Sequence, residues 1–500
     1  MEPDGSVKSA SPFKDGTPDM TAEEFQKASK VADREKEVRE HLTPALREQD
    51  YQRRLREFAH FLAWRYHAIT YGSRIFLYRE AEGVFSPDRG EVESETLAFL
   101  NETEIGITRG RSMKTAVQEV KVALKAGTRW LQVGDPFNSD PTTIPCQNGV
   151  VRVGTDAVSL EGYSPDLRLT FRLPITYDRL APREEVIEVL QSWMEEKEMV
   201  LVQIPAQALL QRAGTTYKKS YIIEGETNTG KTTYVSLLEE FFFGPDVVSK
   251  VSFQRICYDR FAFPPMEHRI INIFDDLSAV TVKDAGTFKV LTGASRHSIE
   301  RKGVDSYESV VNPVHCFTCN KPPKITNMEP AIIDRFYYLI FSVEKAKDTG
   351  WKERTFTPLF LSGFLNLIIE MMQVIVKDRG LPITQEPDDT ERLWRAASDE
   401  VMATAIKHTD PDSKGFVVFK DFMRAVESVC RDAKKPIPTE TRVGRALREM
   451  GYSPIMPEVR GKQVRAYRGI RWKPDSPFKV DYPQMEVEQK TLGENSINGS

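Results

Sequence analysis

Residues 221–240 read YIIEGETNTGKTTYVSLLEE, and the fold turns on what this stretch is. Tyr221–Ile223 is an apolar run of the kind that forms a buried strand, and the segment from Lys231 onward has the composition of a helix. Between them Gly225 and Gly230 permit backbone angles that side chains forbid, so successive N–H groups can turn inward around an anion. The positive end of the following helix adds to that field. The spacing is G-x-x-x-x-G-K-T, a loop that cradles phosphates, with Lys231 reaching the β- and γ-phosphates and the Thr232 hydroxyl placed for Mg²⁺. A plain glycine-rich turn is the structural alternative; a strand before and a helix after favour the cradle. Gly225, Glu226, Thr227, Asn228, Thr229, Gly230, Lys231, Thr232 and Thr233 are therefore the expected nucleotide-binding set, with Mg²⁺ beside it.

Working downstream, HRIINIFDDLSA (268–279) reads as a second buried strand ending in two carboxylates. An aspartate at that place completes Mg²⁺ coordination in phosphate-loop enzymes, so Asp275 is the metal candidate and Asp276 the group that polarises the attacking water. A third strand, PVHCFTCN (313–320), ends in Asn320, whose amide offers a donor and an acceptor to a lytic water or a γ-phosphate. Arg335 follows in IIDRFYYLIF (332–341); a permanently charged guanidinium suits transition-state charge, with an ion pair to Asp334 as the structural alternative. Between the second and third strands, FKVLTGASRHSIERKGVDSYESVV (288–311) reads as a helix, a turn and a hairpin with its tip at Gly303. Arg296, His297, Arg301 and Lys302 flank the tip, and a basic hairpin is suited to gripping phosphates.

Upstream, RIFLYREAEGVFSP reads as two strands around a turn, and ETLAFLNETEI and SMKTAVQEVKVALKAG read as helices. IPCQNGVVRVGTDAVSLEGYSPDLRLTFRLPITYD reads as a β region, and helix resumes from Pro182. Toward the other end, TETRVGRALREMGY (439–452) sets Arg442, Arg445 and Arg448 along one helical side, with apolar residues on another. EVRGKQVRAYRGIRWK (458–473) then reads as two strands around Gly461 carrying Lys462 and Arg465. From Arg431 to Lys473 there are twelve Lys/Arg against four Asp/Glu. A helix followed by a basic hairpin suits duplex phosphates; a solvated basic surface is the alternative.

The remaining features mostly exclude. The chain of 500 residues has 69 Lys+Arg against 73 Asp+Glu, so any nucleic-acid contact must rest on local basic patches. Five cysteines make no disulfide framework, and the Cys316/Cys319 pair has no second pair or spaced histidines to complete a zinc site. DPDSKGFVVFKD (410–421) imitates a calcium loop, but Lys414 stands at a ligand position and Asp421 replaces the bidentate Glu. PLFLSGFLNLIIEMMQVIV (358–376) is interrupted by Ser362, Asn366, Glu370 and Gln373, the polar stripe of an amphipathic helix rather than a membrane span. With no secretory leader pattern, the expected setting is cytoplasmic, within a host cell.

The loop, the IFDDL strand, the LTGASRHSIERKG segment, the FTCN strand and the DRF arginine follow one another within about 110 residues. That order resembles the superfamily 3 helicases, AAA+ motors of small DNA viruses and plasmids, and residues 60–475 are similar to the helicase part of phage and plasmid primase-helicases. The resemblance implies an α/β fold: an AAA+ motor with a parallel-sheet core at 216–380, preceded by an α+β collar-like domain at 41–215. A winged-helix-like DNA-binding domain at 381–475 follows the motor. Residues 1–40 are expected to be disordered or loosely helical, and 476–500 a disordered tail. It further implies a hexameric ATP-driven DNA helicase, with Asp275 and Asp276 as the acidic pair, Asn320 as sensor, Arg335 as arginine finger and Lys302 as the hairpin lysine on DNA. Asp276 stands where many relatives have Glu. No primase-type acidic constellation is apparent, so a separate primase or polymerase is an expected partner. A translocase or packaging ATPase, and an ATP-controlled origin-binding initiator, are the competing readings.

Overall fold

The computed structural model describes residues 22–480 apart from 104–112, 133–134, 195, 213–215, 245–246, 294–295, 302–303, 433–436 and 460. The expected disordered ends therefore lie largely outside the described residues. Two compact units form: one from the residues up to Phe137 together with Ser164–Thr170, the other from Asn138–Tyr163 and the chain from Phe171 onward.

In the first unit, helix Ala22–Arg47 is followed by helix Tyr51–Arg65, whose first turn is capped by the Asp50 carboxylate accepting from Arg53 N at 2.9 Å. The RIFLYREAEGVFSP hairpin forms as read, Arg74–Arg79 antiparallel to Val84–Pro87, and Ile69–Tyr71 adds a third strand. Helices Glu91–Glu102 and Met113–Gly127 complete the unit around Leu55, Phe58, Leu62, Phe99 and Leu124.

The second unit is mixed α/β and is built on a five-stranded, wholly parallel sheet: β1 (Ser220–Gly225), β2 (Val248–Ser249), β3 (Ile271–Phe274), β4 (Val314–Cys319) and β5 (Phe336–Phe341). Their order across the sheet is β5-β1-β4-β3-β2. All six residues of β4 are buried, as a central parallel strand covered on both faces requires. One covering helix, Val200–Gln211, is buried at every position. Its glutamines at spacing four are satisfied inside the core. Gln203 donates to Tyr221 Oη at 3.2 Å, Tyr221 Oη to Gln207 Oε1 at 2.7 Å, and Gln211 to Asn312 Oδ1 at 2.9 Å.

Helix Pro358–Asp378 is the one helix among the described residues long and apolar enough to cross a membrane, and 72% of its apolar window is buried in the fold. Its polar stripe is buried at Ser362 and Asn366 and reaches solvent at Glu370. Ser362 Oγ accepts from Asp178 N at 2.8 Å, Asn366 donates to the Asp178 and Ala181 carbonyls, Glu370 pairs with Arg183 at 2.6 Å, and Gln373 donates to Gly154 O. The expected β region ends earlier than its composition suggests. Three antiparallel strands span Thr143–Glu161, but Pro165–Leu167 is a 3-10 turn. The chain beyond lies against the first strand, with Leu173 N donating to Pro145 O at 2.8 Å and Leu173 sharing the core with Ile144 and Cys146.

The last part of this unit has helices Pro387–Ser398, Glu400–His408, Phe419–Asp432 and Glu440–Glu449 against a sheet of order Thr409–Val418, Ala466–Trp472, Ser453–Ile455. The calcium-loop lookalike is thus part of a strand, irregular between Asp412 and Phe416.

Polar Asn272 in the middle of β3 is explained by its partners. Its Oδ1 accepts from Ser249 Oγ at 2.8 Å and Val251 N at 2.9 Å, so its Nδ2 must donate, to Val251 O at 2.8 Å and to His315 Nδ1 at 3.2 Å. His315 is therefore neutral with its proton on Nε2, and burial pushes its pKa down to about 3. As the pH falls below about 6.5 the unfolded chain takes up a proton that the folded chain refuses, so stability drops. Between pH 7 and pH 5 this one histidine should cost about 2 kcal/mol. Urea unfolding of wild type and His315→Gln should therefore show the stability difference between them shrinking by that amount as the pH is lowered.

Candidate functional site

Because β1, β4 and β3 run in the same direction, their carboxyl ends open on one rim of the sheet, and Gly225, Asn320 and Asp275 stand there. Local sequence then shapes each group. A Cβ on Gly225 would lie 2.5 Å from Phe341 O and 2.7 Å from Thr229 Oγ1, so no side chain fits at that corner. Gly230 has φ +97°, and a Cβ there would sit 2.6 Å from Trp193 Cδ1. Helix Lys231–Phe241 starts at the next residue, as the sequence pattern requires.

Lys231 is buried, and its ammonium donates to the carbonyls of Gly225 at 2.7 Å and Glu226 at 2.8 Å. Burial draws its pKa below the usual lysine range, opposed by nearby acidic groups including Asp275 and Asp276. The Thr232 hydroxyl donates to Asp275 Oδ2 at 3.0 Å, joining two residues 43 positions apart. Asp275 Oδ1 is held in turn by the hydroxyl of Thr318, which also accepts the backbone N–H of Asp276 at 2.9 Å. Asp276 itself is exposed and takes φ +58°, a left-handed conformation that aspartate tolerates better than most residues.

Two supporting residues escaped the sequence reading. Thr318 orients both carboxylate positions; its signal was only a polar residue one place before the end of a buried strand. Trp193, from helix Glu184–Trp193, is 2% exposed and packs its edge on Gly230 and its ring against Tyr234 of the helix Lys231–Phe241. Nothing in the local pattern around Trp193 announces that role.

Other expected site residues are not at this rim. Arg335 immediately precedes β5, whose first residue pairs with Ser220, so it stands at the opposite end of the sheet. Six residues of strand at ~3.3 Å each separate it from Gly225. Its Nη1 is 3.5 Å from Asp334 Oδ2, and Asp334 is also paired with Lys219 at 3.2 Å. Arg335 Nε is buried without a hydrogen-bond partner. The basic hairpin exists as Arg296–Arg301 paired with Val304–Val310, and leads into β4 at the end remote from Asn320. Lys302, Gly303 and the side chain of Arg301 lie outside the described residues.

On helix Glu440–Glu449, Arg442 and Arg445 are exposed, and Lys462 is exposed on the short ribbon Glu458–Val459/Lys462–Gln463. Arg465 is used differently: its guanidinium lies 4.0 Å over the Phe419 ring and donates to Tyr467 Oη at 2.9 Å. Cys316 and Cys319 are free and buried in β4, and burial raises the Cys316 thiol to about 12.

The donor set suits Mg²⁺. Among the described residues no group of three or more His, Cys, Asp or Glu side chains gathers into a protein cage. One carboxylate and one hydroxyl 3.0 Å apart beside the glycine loop are a donor set that a cation sharing its shell with water would accept.

A model of a family of unknown function, DUF5906, matches residues 223–334. No curated protein matches the chain. Two solved structures are similar at 14% identity over 79% of this chain and 94% of theirs: the A form apo structure of NrS-1 C terminal region-CTR, with a TM-score of 0.37, and the apo structure of NrS-1 C terminal region, with a TM-score of 0.41. At these scores the likeness carries no weight for fold or function.

Thr318→Val keeps the shape of a buried β-branched residue and removes the hydroxyl that holds Asp275. A hydrogen bond to a charged group contributes ~1.5–3 kcal/mol, so if the rim takes a Mg²⁺-nucleotide its binding should weaken about tenfold or more. Calorimetric titrations with Mg²⁺ and with EDTA check this: the loss should be confined to the Mg²⁺ arm.

Proposed function

We propose that this chain is an AAA+ ATPase that acts on DNA, a helicase of the superfamily 3 type serving replication of a virus, plasmid or integrated element. The observation that carries the reading is the Thr232–Asp275 contact at 3.0 Å beside a lysine whose ammonium lies inside the glycine loop. It joins the two halves of a nucleotide site that the sequence keeps 43 residues apart.

In this reading the loop amides and Lys231 bind the phosphates, and Thr232 and Asp275 hold Mg²⁺, which when bound neutralises charge on the transferred phosphoryl group. Asp276, exposed beside Asp275, orients and deprotonates the attacking water. Asn320, next to Cys319, which pairs with Glu224 of β1, meets the terminal phosphate. Since Arg335 stands at the far end of the sheet, it serves the loop of a neighbouring copy, which favours a ring, with a hexamer as the expected form. The hairpin Arg296–Arg301/Val304–Val310 and the basic helix Glu440–Glu449 supply the DNA contacts, the latter in a winged-helix-like arrangement of helices and three-stranded sheet.

Lys231→Ala should abolish ATP hydrolysis and strand displacement on a forked duplex, whereas Asp276→Asn should retain Mg²⁺-ATP and lose turnover. Normal turnover in Lys231→Ala would sink the motor. Arg335→Ala should lose ~10³-fold in turnover or more. Mixing it with Lys231→Ala should restore part of the activity, because an intact loop then meets an intact arginine at some subunit boundaries. Rings that form from the mixture without recovery would return Arg335 to a purely structural pairing with Asp334. Hydrolysis without displacement on any fork would favour a translocase.

A further inference from the structure

The segment that follows Asn320 is tied to the last part of the chain by three contacts. Lys321 Nζ is 2.7 Å from Glu400 Oε1, the Trp394 indole donates to Pro323 O at 2.8 Å, and Lys324 Nζ is 4.0 Å from Asp399 Oδ2. Trp394 is 2% exposed and is a fixed post. The two ion pairs are the adjustable part.

The same two carboxylates face the basic helix. Arg442 Nη2 is 3.8 Å from Asp399 Oδ2 and 3.9 Å from Glu400 Oε2. The acids are sheltered, at 16% and 14% side-chain exposure, while Arg442 is open to solvent at 58%. Asp399 is also fixed by capping the helix Glu400–His408, with Oδ1 accepting from Val401 N at 2.9 Å. A fixed anionic pair is thus shared between a lysine adjoining the candidate phosphate sensor and an arginine expected on DNA.

We propose that Asp399 and Glu400 are positioning residues that set the Asn320–Lys324 segment and Arg442 in competition, so that nucleotide and duplex DNA weaken each other's binding. The proposal rests on the motor reading above. When a terminal phosphate draws Asn320 and Lys321 toward the rim, the acids lose a cation and hold Arg442 more firmly, which withdraws it from DNA. When a DNA phosphate takes Arg442, the acids hold Lys321 more firmly and the sensor is kept back. Each arrangement is a discrete exchange of ion-pair partners, the kind of two-state element through which coupling is carried.

The test measures binding of the full chain to a short duplex by anisotropy, with and without a non-hydrolysable ATP analogue and Mg²⁺, and binding of the analogue with and without duplex. Asp399→Asn preserves a capping side chain and Glu400→Gln preserves shape, so D399N/E400Q keeps the fold. In the wild type each ligand should weaken the other by the same factor, about 2- to 5-fold, the range of one exposed ion pair. In D399N/E400Q that factor should fall to about one, with both ligands still bound. K321Q, which disturbs no cap, should likewise remove the coupling.

A simple change of overall charge would move the affinities and leave the coupling factor where it was, and that result overturns the proposal. So does a wild type that binds both ligands independently. A wild type that binds no nucleotide, or no DNA, removes the motor reading first and this inference with it.

Discussion

Parallel alignment of Ser220–Gly225, Val314–Cys319 and Ile271–Phe274 is the constraint on which the rest depends. Strands that run the same way deliver the residues after their last positions to one rim, so three separate stretches of sequence supply one site. The antiparallel alternative would have sent Asp275 or Asn320 to the other side. Parallel pairing demands burial on both faces. On one face Val200–Gln211 packs on β4 with Pro358–Asp378 stacked against it, and on the other Phe253, Phe288 and Trp394 pack against Phe317 and Phe336. The chemistry at the rim and the apolar core below it are consequences of one choice of strand direction.

Two polar networks inside this core are closed by hydrogen bonds. Asn272 has its amide oxygen filled by Ser249 and Val251 and its amide nitrogen by Val251 and His315. Gln203, Gln207 and Gln211 pass hydrogen bonds along one helix to Tyr221 and Asn312. Unpaired groups at such depth would each cost ~1–3 kcal/mol, so these networks specify one alignment of helix, sheet and edge strand and penalise any other.

What was legible in the sequence was whatever is encoded locally. The glycine loop, the lysine and the helix behind it lie within a dozen residues, and their spacing alone conveys their geometry. The acidic strand and the strand ending in Asn320 were legible as buried runs closed by a polar group. The hairpin before β4 showed as charge around a glycine. What stayed hidden depends on distance along the chain. Thr318 matters because it meets Asp275 across two strands, and Trp193 because it arrives under Gly230 from a helix 37 residues earlier. Arg335 was recognisable as an isolated cation on an apolar strand, but which end of the sheet it occupies is settled only by the pairing of Phe336 with Ser220. The calcium-loop lookalike at Asp410 could be set aside on Lys414 and Asp421 alone, but its pairing with Arg471 in a sheet is not a local property.

The complete burial of helix Val200–Gln211 bears on how such a chain can be divided. The stretch that matches a family model, residues 223–334, contains the loop, β3 and β4 but stops short of β5 and of both long covering helices. Cut out alone it would bare β4 on the face those helices close and lose the strand that flanks β1. The stretch that the family model covers is therefore not a free-standing module. Any transplantation of it has to carry along the flanking segments that cover it, buried glutamines included.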